Sequence, residues 1–253
     1  EMRQMFNETV LGKLKNVVEE KERQICVTRR LRCFGAGESA IAEMLGEMMK
    51  RGRNPLVNST AARGVVTVHI ISTAEDKATA EQMLEQQEKT IRQKLGDIVF
   101  GTDEQTLAEV VGLQLKEAGK TLATAESCTG GLLGKHITDS PGSSEYYAGG
   151  WITYSNHMKI DHLGVNAGLI EKEGAVSEDV ARAMAKGART VSGADYGIGI
   201  TGIAGPGGGT EQKPVGLVYI AVEGRGRCEI ECLRFPSDRG AVRLRAAMTG
   251  LNM

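Results

Sequence analysis

The apolar and polar positions divide the chain into two parts that are built differently. Residues 25–34 partly alternate apolar and polar positions, and residues 65–72 are rich in β-branched residues, which predicts two strands. Residues 35–52 and 75–96 repeat apolar positions at helical spacing, which predicts a helix after each strand. With a short strand over residues 97–100, the first part is expected to be a small α+β unit in which strands pack on two helices.

Beyond residue 100, strands and helices alternate. A predicted helix over residues 101–119, with Thr102 or Asp103 as its expected N-cap, leads into this second part. The order of the elements that follow is typical of a mixed sheet between helices, an α/β layered domain. The strands are predicted over residues 121–125, 146–155, 196–201, 216–222 and 227–235, and the helices over residues 129–139, 156–164, 177–193 and 237–251.

Composition narrows the class of protein. Of the 253 residues, 41% are apolar and 25% are charged, and the formal net charge is −1. No apolar run approaches the roughly eighteen residues that span a bilayer, and Lys and Arg do not dominate either part, so neither a membrane nor a nucleic acid is an expected partner. Five cysteines without a CxxC pair argue against a disulfide framework or a structural zinc site, so a cytoplasmic location is expected.

Glycine adds a second difference between the two parts. Of the 33 glycines, 26 lie beyond residue 100, so the second part must use many tight turns or close backbone approaches. Residues 124–131, TAESCTGG, contain two of them directly after a serine and a cysteine.

Ser127 and Cys128 stand where a predicted strand runs into a predicted helix. At such a point, unpaired backbone N–H groups and the positive end of the helix dipole can stabilise an oxyanion. Gly130 and Gly131 would let a substrate approach the backbone, although the same residues would also suit a simple helix cap. A thiol at a helix N-terminus has a lowered pKa and is intrinsically more nucleophilic than a hydroxyl, so local chemistry leaves both residues open.

A nucleophile needs a base, and the residues after the next predicted strand offer two interpretations. His157, Asp161 and His162 could form a metal cluster, but this spacing does not place all three on one helical face and matches no common zinc pattern. Lys159 follows the strand that carries residues 151–154, which could bring its amine near the serine hydroxyl. The alternative for a lone lysine is a solvated surface position.

A candidate anion site lies near the end of the chain. Ser237 is expected to cap the last helix, and Arg239 and Arg243, four residues apart, share one face near its start. The alternative is that both arginines pair with surface carboxylates. Residues 201–209, TGIAGPGGG, are only loosely similar to a phosphate loop, and their glycines are expected to line the site.

Four ordered motifs in the second part resemble the C-terminal domain of the CinA proteins, which is similar to the nicotinamide mononucleotide amidase PncC. The motifs are AESCTGG, GGWITYSNHMKIDHLGV, GIGITGIAGPGGG with KPVGLVYIAV, and SDRGAVRLRA, within residues 102–253. Residues 21–101, with LRCFGAGES and GDIVFGTDEQTL, resemble the middle KH-like region of CinA proteins. Residues 1–20 resemble the end of the preceding nucleotide-binding domain and its linker, so the pyrophosphatase activity that the family assigns to that domain is not expected here.

The resemblance implies an amidohydrolase that converts nicotinamide mononucleotide to nicotinic acid mononucleotide and ammonia. It implies Ser127 as the nucleophile of an acyl-enzyme mechanism and Lys159 as its general base, with Tyr154 and Thr201 assisting at the active site. Cys128 matches no catalytic role, and no metal or organic cofactor is expected. The residues expected to bind the substrate are Glu126, Thr129, Gly130, Gly131, Gly202, Gly205, Arg239 and Arg243.

The expected fold is a C-terminal layered α/β domain with a mixed sheet between helices, preceded by a small α+β KH-like domain. Two other functions stay open: a non-catalytic nucleotide-binding regulatory module, and a thiol amidohydrolase that uses Cys128. A homodimer is expected, with the KH-like domain as a spacer or dimerisation module. The GxxG loop that clamps a nucleic-acid backbone is not evident, because residues 35–38, GAGE, have glycines only two apart.

Overall fold

The computed structural model describes residues 2–11, 24–224 and 226–253. The predicted boundary near residue 20, between the N-terminal remnant and the first domain, lies outside the described residues. Residues 2–11 begin with helix α1 (Met2–Met5) and a π-helical segment (Phe6–Val10). Within the described ranges, no helix combines the length and the apolar character that a membrane span requires.

The first domain is a four-stranded antiparallel sheet with two helices. Its elements are β1 (Ile25–Cys33), α2 (Glu38–Leu45), β2 (Leu56–Ala62), β3 (Val65–Ala74), α3 (Lys77–Leu95) and β4 (Val99–Thr102). The strand order is β2-β3-β1-β4, the split βαβ arrangement, and β1 pairs with β3 along its whole length. Both helices were predicted, and α3 is capped by Asp76, which accepts from the Thr79 N–H.

Alternate positions of the central strands face the two helices and form the core of this domain. Leu31, Val68 and Ile70 are fully buried together with Ile91 of α3 and Ile41 of α2. The pattern in β1 and β3 was visible in the sequence because every second side chain of a strand faces the same side. Strand β2, LVNSTAA, was not predicted, since polar residues fill its middle and it is held by pairing with β3.

The connection between the domains differs from the prediction in one detail. Strand β4 continues to Thr102, and the following helix begins at Leu107. Its N-cap is Thr106, which accepts from the Glu109 N–H while the Glu109 carboxylate accepts from the Thr106 N–H. The expectation that Thr102 or Asp103 caps this helix is wrong, because a capping box is available four residues further on.

The second domain alternates strands and helices as predicted. Its elements are α4 (Leu107–Glu117), β5 (Leu122–Glu126), α5 (Leu132–Thr138), β6 (Tyr147–Ile152), α6 (Asn156–Leu163), α7 (Ala167–Glu173), α8 (Glu178–Ser192), β7 (Tyr196–Gly202), β8 (Leu217–Gly224), β9 (Arg227–Arg234) and α9 (Arg239–Asn252). The sheet order is β6-β5-β7-β8-β9, with β6, β5 and β7 parallel and β8 and β9 antiparallel. The short helix α7 was not predicted.

Helices cover both faces of this sheet. On one face, Met184 and Ala188 of α8 pack against Ala123 and Ala125 of β5. On the other face, Val242 of α9 belongs to a cluster with buried residues of α5, β7 and β8. The predicted mixed sheet between helices, preceded by a small KH-like α+β domain, is confirmed.

The two domains touch through apolar side chains. Phe34 and Val65 of the first domain are buried in the same cluster as Leu107, Ile198 and Leu251 of the second. Burial of apolar surface at such a contact stabilises the relative position of the domains.

Candidate active site

The site lies where parallel strands end beside each other. Ser127 directly follows β5, and its backbone N–H donates to the carbonyl of Ile200 in β7 at 2.9 Å. On the other side, the Thr153 N–H donates to the Glu126 carbonyl at 2.8 Å. Ser127, Thr153 and Thr201 therefore share one edge of the sheet, because the carboxyl ends of adjacent parallel strands meet there.

Glu126 holds the loop that follows Ser127. Its carboxylate is 2% exposed and accepts from the Leu133 N–H at 3.0 Å and from the Gly134 N–H at 2.8 Å. These N–H groups lie in the first turn of α5 and would otherwise lack acceptors. Both carboxylate oxygens are thus engaged with the start of α5, so Glu126 positions the Ser127 loop.

The loop itself carries candidate oxyanion donors. Gly130 and Gly131 have φ values of 58° and 90°, in the left-handed region that favours glycine, and Gly131 is the N-cap of α5. The Gly130 N–H donates to the Ser127 carbonyl at 3.1 Å. The N–H groups of Thr129 and Gly131 have no acceptor in the described part of the protein, and they lie two and four residues after Ser127.

Lys159 is brought to Ser127 by helix α6. Ser155 caps this helix by accepting from the Met158 N–H, and Lys159 follows one turn later. Its Nζ lies 3.1 Å from Ser127 Oγ and donates to the Thr153 carbonyl at 2.8 Å. The Lys159 side chain is only 1% exposed and, within the described ranges, forms no ion pair.

Burial sets the protonation of this lysine. Removal from water disfavours the ammonium form, so the pKa of Lys159 is lowered from its ordinary value of 10.5. The Thr153 carbonyl satisfies one Nζ donor and fixes the direction of the amine. The arrangement places an amine with a lowered pKa within hydrogen-bond reach of a partly buried hydroxyl.

Cys128 has the opposite environment from Ser127. Its side chain is 6% exposed and belongs to the apolar cluster with Leu133 and Val242. Burial raises the pKa of the Cys128 thiol to about 11. A thiol with this pKa stays protonated at neutral pH, so the lowered pKa that a helix N-terminus can confer does not occur here.

Arg239 and Arg243 lie near the start of α9, as predicted, but the cap is different. Asp238 caps the helix by accepting from the Ala241 N–H, so the expectation that Ser237 does so is wrong. Arg239 donates to the Gly205 carbonyl at 2.8 Å and to the Tyr154 hydroxyl at 2.9 Å. It thereby connects the segment after β6 with the loop after β7.

Arg243 makes a different contact. It donates to the Thr129 carbonyl from Nε at 3.2 Å and from a terminal guanidinium nitrogen at 2.7 Å. The alternative pairing of both arginines with surface carboxylates is absent from the described residues, because their contacts are to backbone carbonyls and to Tyr154. Arg243 thus holds the loop after Ser127, and Arg239 connects two other segments of the site.

The residues at the end of β7 are engaged within the protein. The Thr201 hydroxyl donates to the Ala175 carbonyl at 2.7 Å, which ties β7 to the loop before α8. A Cβ on Gly202 would lie 2.7 Å from the Leu217 carbonyl oxygen, and one on Gly205 would lie 2.5 Å from Val215 Cγ1. Close packing of β7 and its loop therefore requires these glycines independently of any substrate.

Two members of the histidine cluster considered from the sequence contact each other on an exposed helix face. His157 Nε2 lies 2.9 Å from Asp161 Oδ2, one turn apart in α6. Among the residues that the structure describes, no group of three His, Cys, Asp or Glu side chains is placed to hold a metal ion.

Backbone contacts are the part of the site that sequence reasoning missed. The carbonyls of Thr153, Ala175 and Gly205 accept from Lys159, Thr201 and Arg239. A carbonyl is present in every residue, so no sequence signal marks these positions.

The second domain is a layered α/β domain in which a serine after β5 contacts a buried lysine of helix α6, and two family models match the chain. The CinA C-terminal domain matches residues 104–253, and the damage-inducible protein CinA KH domain matches residues 28–101. The chain therefore belongs to the CinA family.

Several curated relatives are similar over most of this chain. A putative competence-damage inducible protein of Moorella thermoacetica is 44% identical over 90% of this chain, and one of Clostridium beijerinckii is 42% identical over 100% of it. These alignments cover 55% and 61% of the two relatives. The chain thus spans somewhat more than half the length of the curated relatives it matches.

The similar solved structures cover a smaller part of this chain than the curated relatives do. The crystal structure of competence/damage inducible protein CihA from Agrobacterium tumefaciens is 41% identical, covers 57% of this chain and 89% of its own, and has a TM-score of 0.56. A CinA superfamily protein from Escherichia coli is 33% identical, covers 58% of this chain and 87% of its own, and has a TM-score of 0.55.

Proposed function

We propose that this chain is an amidohydrolase that converts nicotinamide mononucleotide to nicotinic acid mononucleotide and ammonia through an acyl-enzyme on Ser127. The observation that carries the proposal is the 3.1 Å contact between Ser127 Oγ and Lys159 Nζ, with Lys159 buried and without a counter-ion in the described structure. A buried lysine costs stability, so a protein keeps one where its chemistry requires a neutral amine.

In the first half of the reaction, neutral Lys159 removes the proton of the Ser127 hydroxyl as Oγ attacks the carboxamide carbon. The tetrahedral intermediate carries its negative charge on the former carbonyl oxygen. Protonated Lys159 then donates to the leaving nitrogen, ammonia departs, and an ester between Ser127 and the nicotinoyl group remains. The Thr153 carbonyl keeps Nζ directed at Oγ during both transfers.

In the second half, a water molecule takes the place of ammonia. Lys159, neutral again, removes a proton from the water, the hydroxide attacks the ester carbon, and the acid is released as Ser127 recovers its proton. The two halves add one water to the amide and move only protons and an acyl group, so the reaction needs no redox or group-carrying cofactor.

The loop after Ser127 would stabilise the oxyanion. The N–H groups of Thr129 and Gly131 have no acceptor among the described residues, and the start of α5 contributes the positive end of a helix dipole. Arg243 keeps the Thr129 peptide in place through its two bonds to the carbonyl. Preorganised donors of this kind typically contribute about 3–4 kcal/mol each to transition-state stabilisation.

The phosphate of the substrate would bind near the start of α9. Arg239 is exposed, and its contacts to Gly205 and Tyr154 leave further guanidinium donors free for a phosphate. The N-terminus of a fourteen-residue helix adds a favourable dipole. Tyr154 is 59% exposed, accepts a hydrogen bond from Arg239 and would contact the pyridine ring.

The two other candidate functions are less well supported. A thiol amidohydrolase would need Cys128 as thiolate, but burial raises the pKa of Cys128 to about 11. A non-catalytic nucleotide-binding module would have no use for a buried lysine in contact with a serine.

The deciding experiment measures ammonia release from nicotinamide mononucleotide by the purified chain, together with intact-mass detection of the acyl-enzyme after rapid quenching. A mass increase of one nicotinoyl nucleotide on Ser127, absent in Ser127→Ala and present in Cys128→Ala, is the expected result. An enzyme that releases no ammonia, or an adduct located on Cys128, would refute the proposal.

A further inference from the structure

A cleft between the two domains has the features of a second ligand site. It encloses about 710 Å³ and is lined by the turn before α2, by the β2–β3 hairpin and by α9. This volume is within the range of small-molecule sites, which often form between domains. None of the residues assigned to catalysis or substrate binding lines it.

One wall of the cleft is an uncapped helix N-terminus. Helix α2 starts after Gly37, whose backbone precedes the helix without any side-chain cap. The N–H groups of residues 38–40 have no acceptor in the described structure, since Ile41 is the first to donate, to the Gly37 carbonyl. A Cβ on Gly35 or Gly37 would meet no atom within 4 Å, so open space lies beside this turn.

An independent feature lies on the facing wall. Thr249 of α9 is 9% exposed, lines the cleft, and its hydroxyl has no hydrogen-bond partner in the part of the chain that is described. A hydroxyl in a helix ordinarily donates to the carbonyl one turn earlier, as Thr138 does to Gly134. The Thr249 hydroxyl is therefore available to a molecule inside the cleft.

Charge and shape indicate the chemistry of that molecule. Arg245 and Arg63 line the cleft, and neither forms an ion pair within the described ranges. Of the two carboxylates at its edge, Glu38 accepts from the Ser59 hydroxyl, and Glu231 is exposed on β9. Phe34 and Phe235 supply an apolar side, which suits a ring.

We propose that this cleft binds a small phosphate ester with a planar ring, of the size of a nucleoside monophosphate. The phosphate would lie between the start of α2 and Arg245, with Thr249 as a further donor, and the ring would lie on the phenylalanine side. The ligand would contact both domains. It would also contact α9, the helix that carries Arg239 and Arg243. Binding in the cleft could therefore change the positions of these two arginines in the active site.

The test uses adenosine 5′-monophosphate as probe and the full chain as protein. Hydrogen exchange of backbone amides is measured with and without the probe, and its dissociation constant is determined by calorimetry. We expect slower exchange in residues 35–45 and 60–66. Arg245→Ala should weaken this binding by roughly tenfold or more, the consequence of losing a charged hydrogen bond. Thr249→Val, which keeps the side-chain shape, should weaken it about threefold or more.

Two control variants separate the cleft from the active site. Arg239→Ala should leave the protection of residues 35–45 unchanged, and Arg53→Ala, an exposed arginine of the first domain outside the cleft, should leave the affinity unchanged. Protection confined to residues 126–132 and 200–206, unchanged affinity in Arg245→Ala, or no protection with the probe at all would each overturn the proposal. Failure of the amidase assay would not affect this result, because the cleft is tested by binding alone.

Discussion

The two domains bury polar groups in different ways. The core of the first domain consists of apolar side chains, and its charged residues pair at or near the surface, as Arg29 does with Glu88. Among the described residues, the two buried charged side chains, Glu126 and Lys159, both lie in the second domain. Glu126 ends β5 directly before Ser127, and Lys159 contacts the Ser127 hydroxyl from α6.

This difference shows which part of the fold contains buried charges that destabilise it. Burying a charge or a polar group without full compensation destabilises a protein, and an antiparallel sheet covered on one face can avoid it by alternation. In the second domain, parallel strands end next to one another and leave side chains of consecutive strands at a common edge. The buried lysine at that edge is the feature that stability alone would not select.

The largest expected effect separates two neighbouring residues of the second domain. Ser127→Ala should lower kcat/KM for nicotinamide mononucleotide by about a thousandfold or more, because the proposed nucleophile is removed. Cys128→Ala should stay within a few-fold of the wild type, because the thiol is buried and protonated. Ammonia release measures both. A dead Cys128→Ala beside an active Ser127→Ala would show that the serine is not the nucleophile.

The next prediction tests whether the buried Lys159 supports activity while it lowers the free energy of unfolding. Lys159→Met should lower kcat/KM by about a hundredfold to ten-thousandfold, the usual contribution of a general base, while raising the free energy of unfolding at neutral pH. Lys186→Met, at an exposed position of α8, is the control and should change neither quantity appreciably. Denaturant unfolding and ammonia release give the two numbers. If Lys159→Met were destabilised at neutral pH, the lysine would be stabilising rather than costly.

The pH dependence sharpens the same comparison. Because burial lowers the pKa of Lys159 from 10.5, the unfolded chain binds one more proton than the folded protein between the lowered pKa and 10.5. Wild-type stability therefore gains from this group as pH rises through that window, and the advantage of Lys159→Met should shrink there. The wild-type kcat/KM should rise with pH through the same lowered pKa. A profile without that rising limb would mean that Lys159 is not the base.

A smaller effect distinguishes the two arginines of α9. Arg239→Ala should raise KM for the mononucleotide by about tenfold or more with a smaller change in kcat, since a phosphate contact remote from the reacting atoms acts as uniform binding. Arg243→Ala should lower kcat more than it raises KM, because it releases the Thr129 peptide. Steady-state kinetics with the mononucleotide and with nicotinamide riboside check this. If Arg239→Ala lowered kcat/KM equally for the mononucleotide and the riboside, Arg239 would not bind the phosphate.

The smallest effect belongs to the first domain. Ile70→Val, in the centre of β3, should lower the free energy of unfolding by about 0.5–1.5 kcal/mol and leave kcat unchanged, because it removes one methylene from an apolar core. Denaturant unfolding and the ammonia assay are again the measurements. A large loss of kcat in this variant would show that the first domain shapes the active site.

Local pattern predicted the elements whose own residues define them. Strands β1 and β3 alternate, α3 and α8 repeat apolar positions one turn apart, and the TAESCTGG segment begins in β5 and continues beyond its end. Strand β2 and helix α7 were not predicted because their residues show little apolar periodicity. The caps Thr106 and Asp238 were assigned to neighbouring residues because several residues that can cap a helix stand close together. Tertiary pairing and competition between neighbouring caps settle such cases.

For the candidate site too, some features follow from the local sequence and others from the tertiary structure. By itself the sequence determined which residue types can do the chemistry and the family that they resemble, because side-chain identity and short spacing are local properties. Which of Ser127 and Cys128 faces Lys159, that Lys159 is buried, and that Arg239 and Arg243 contact different loops were decided by the tertiary structure. Burial and the meeting of residues more than thirty positions apart depend on how the strands are ordered in the sheet, and that order is a property of the whole packed domain.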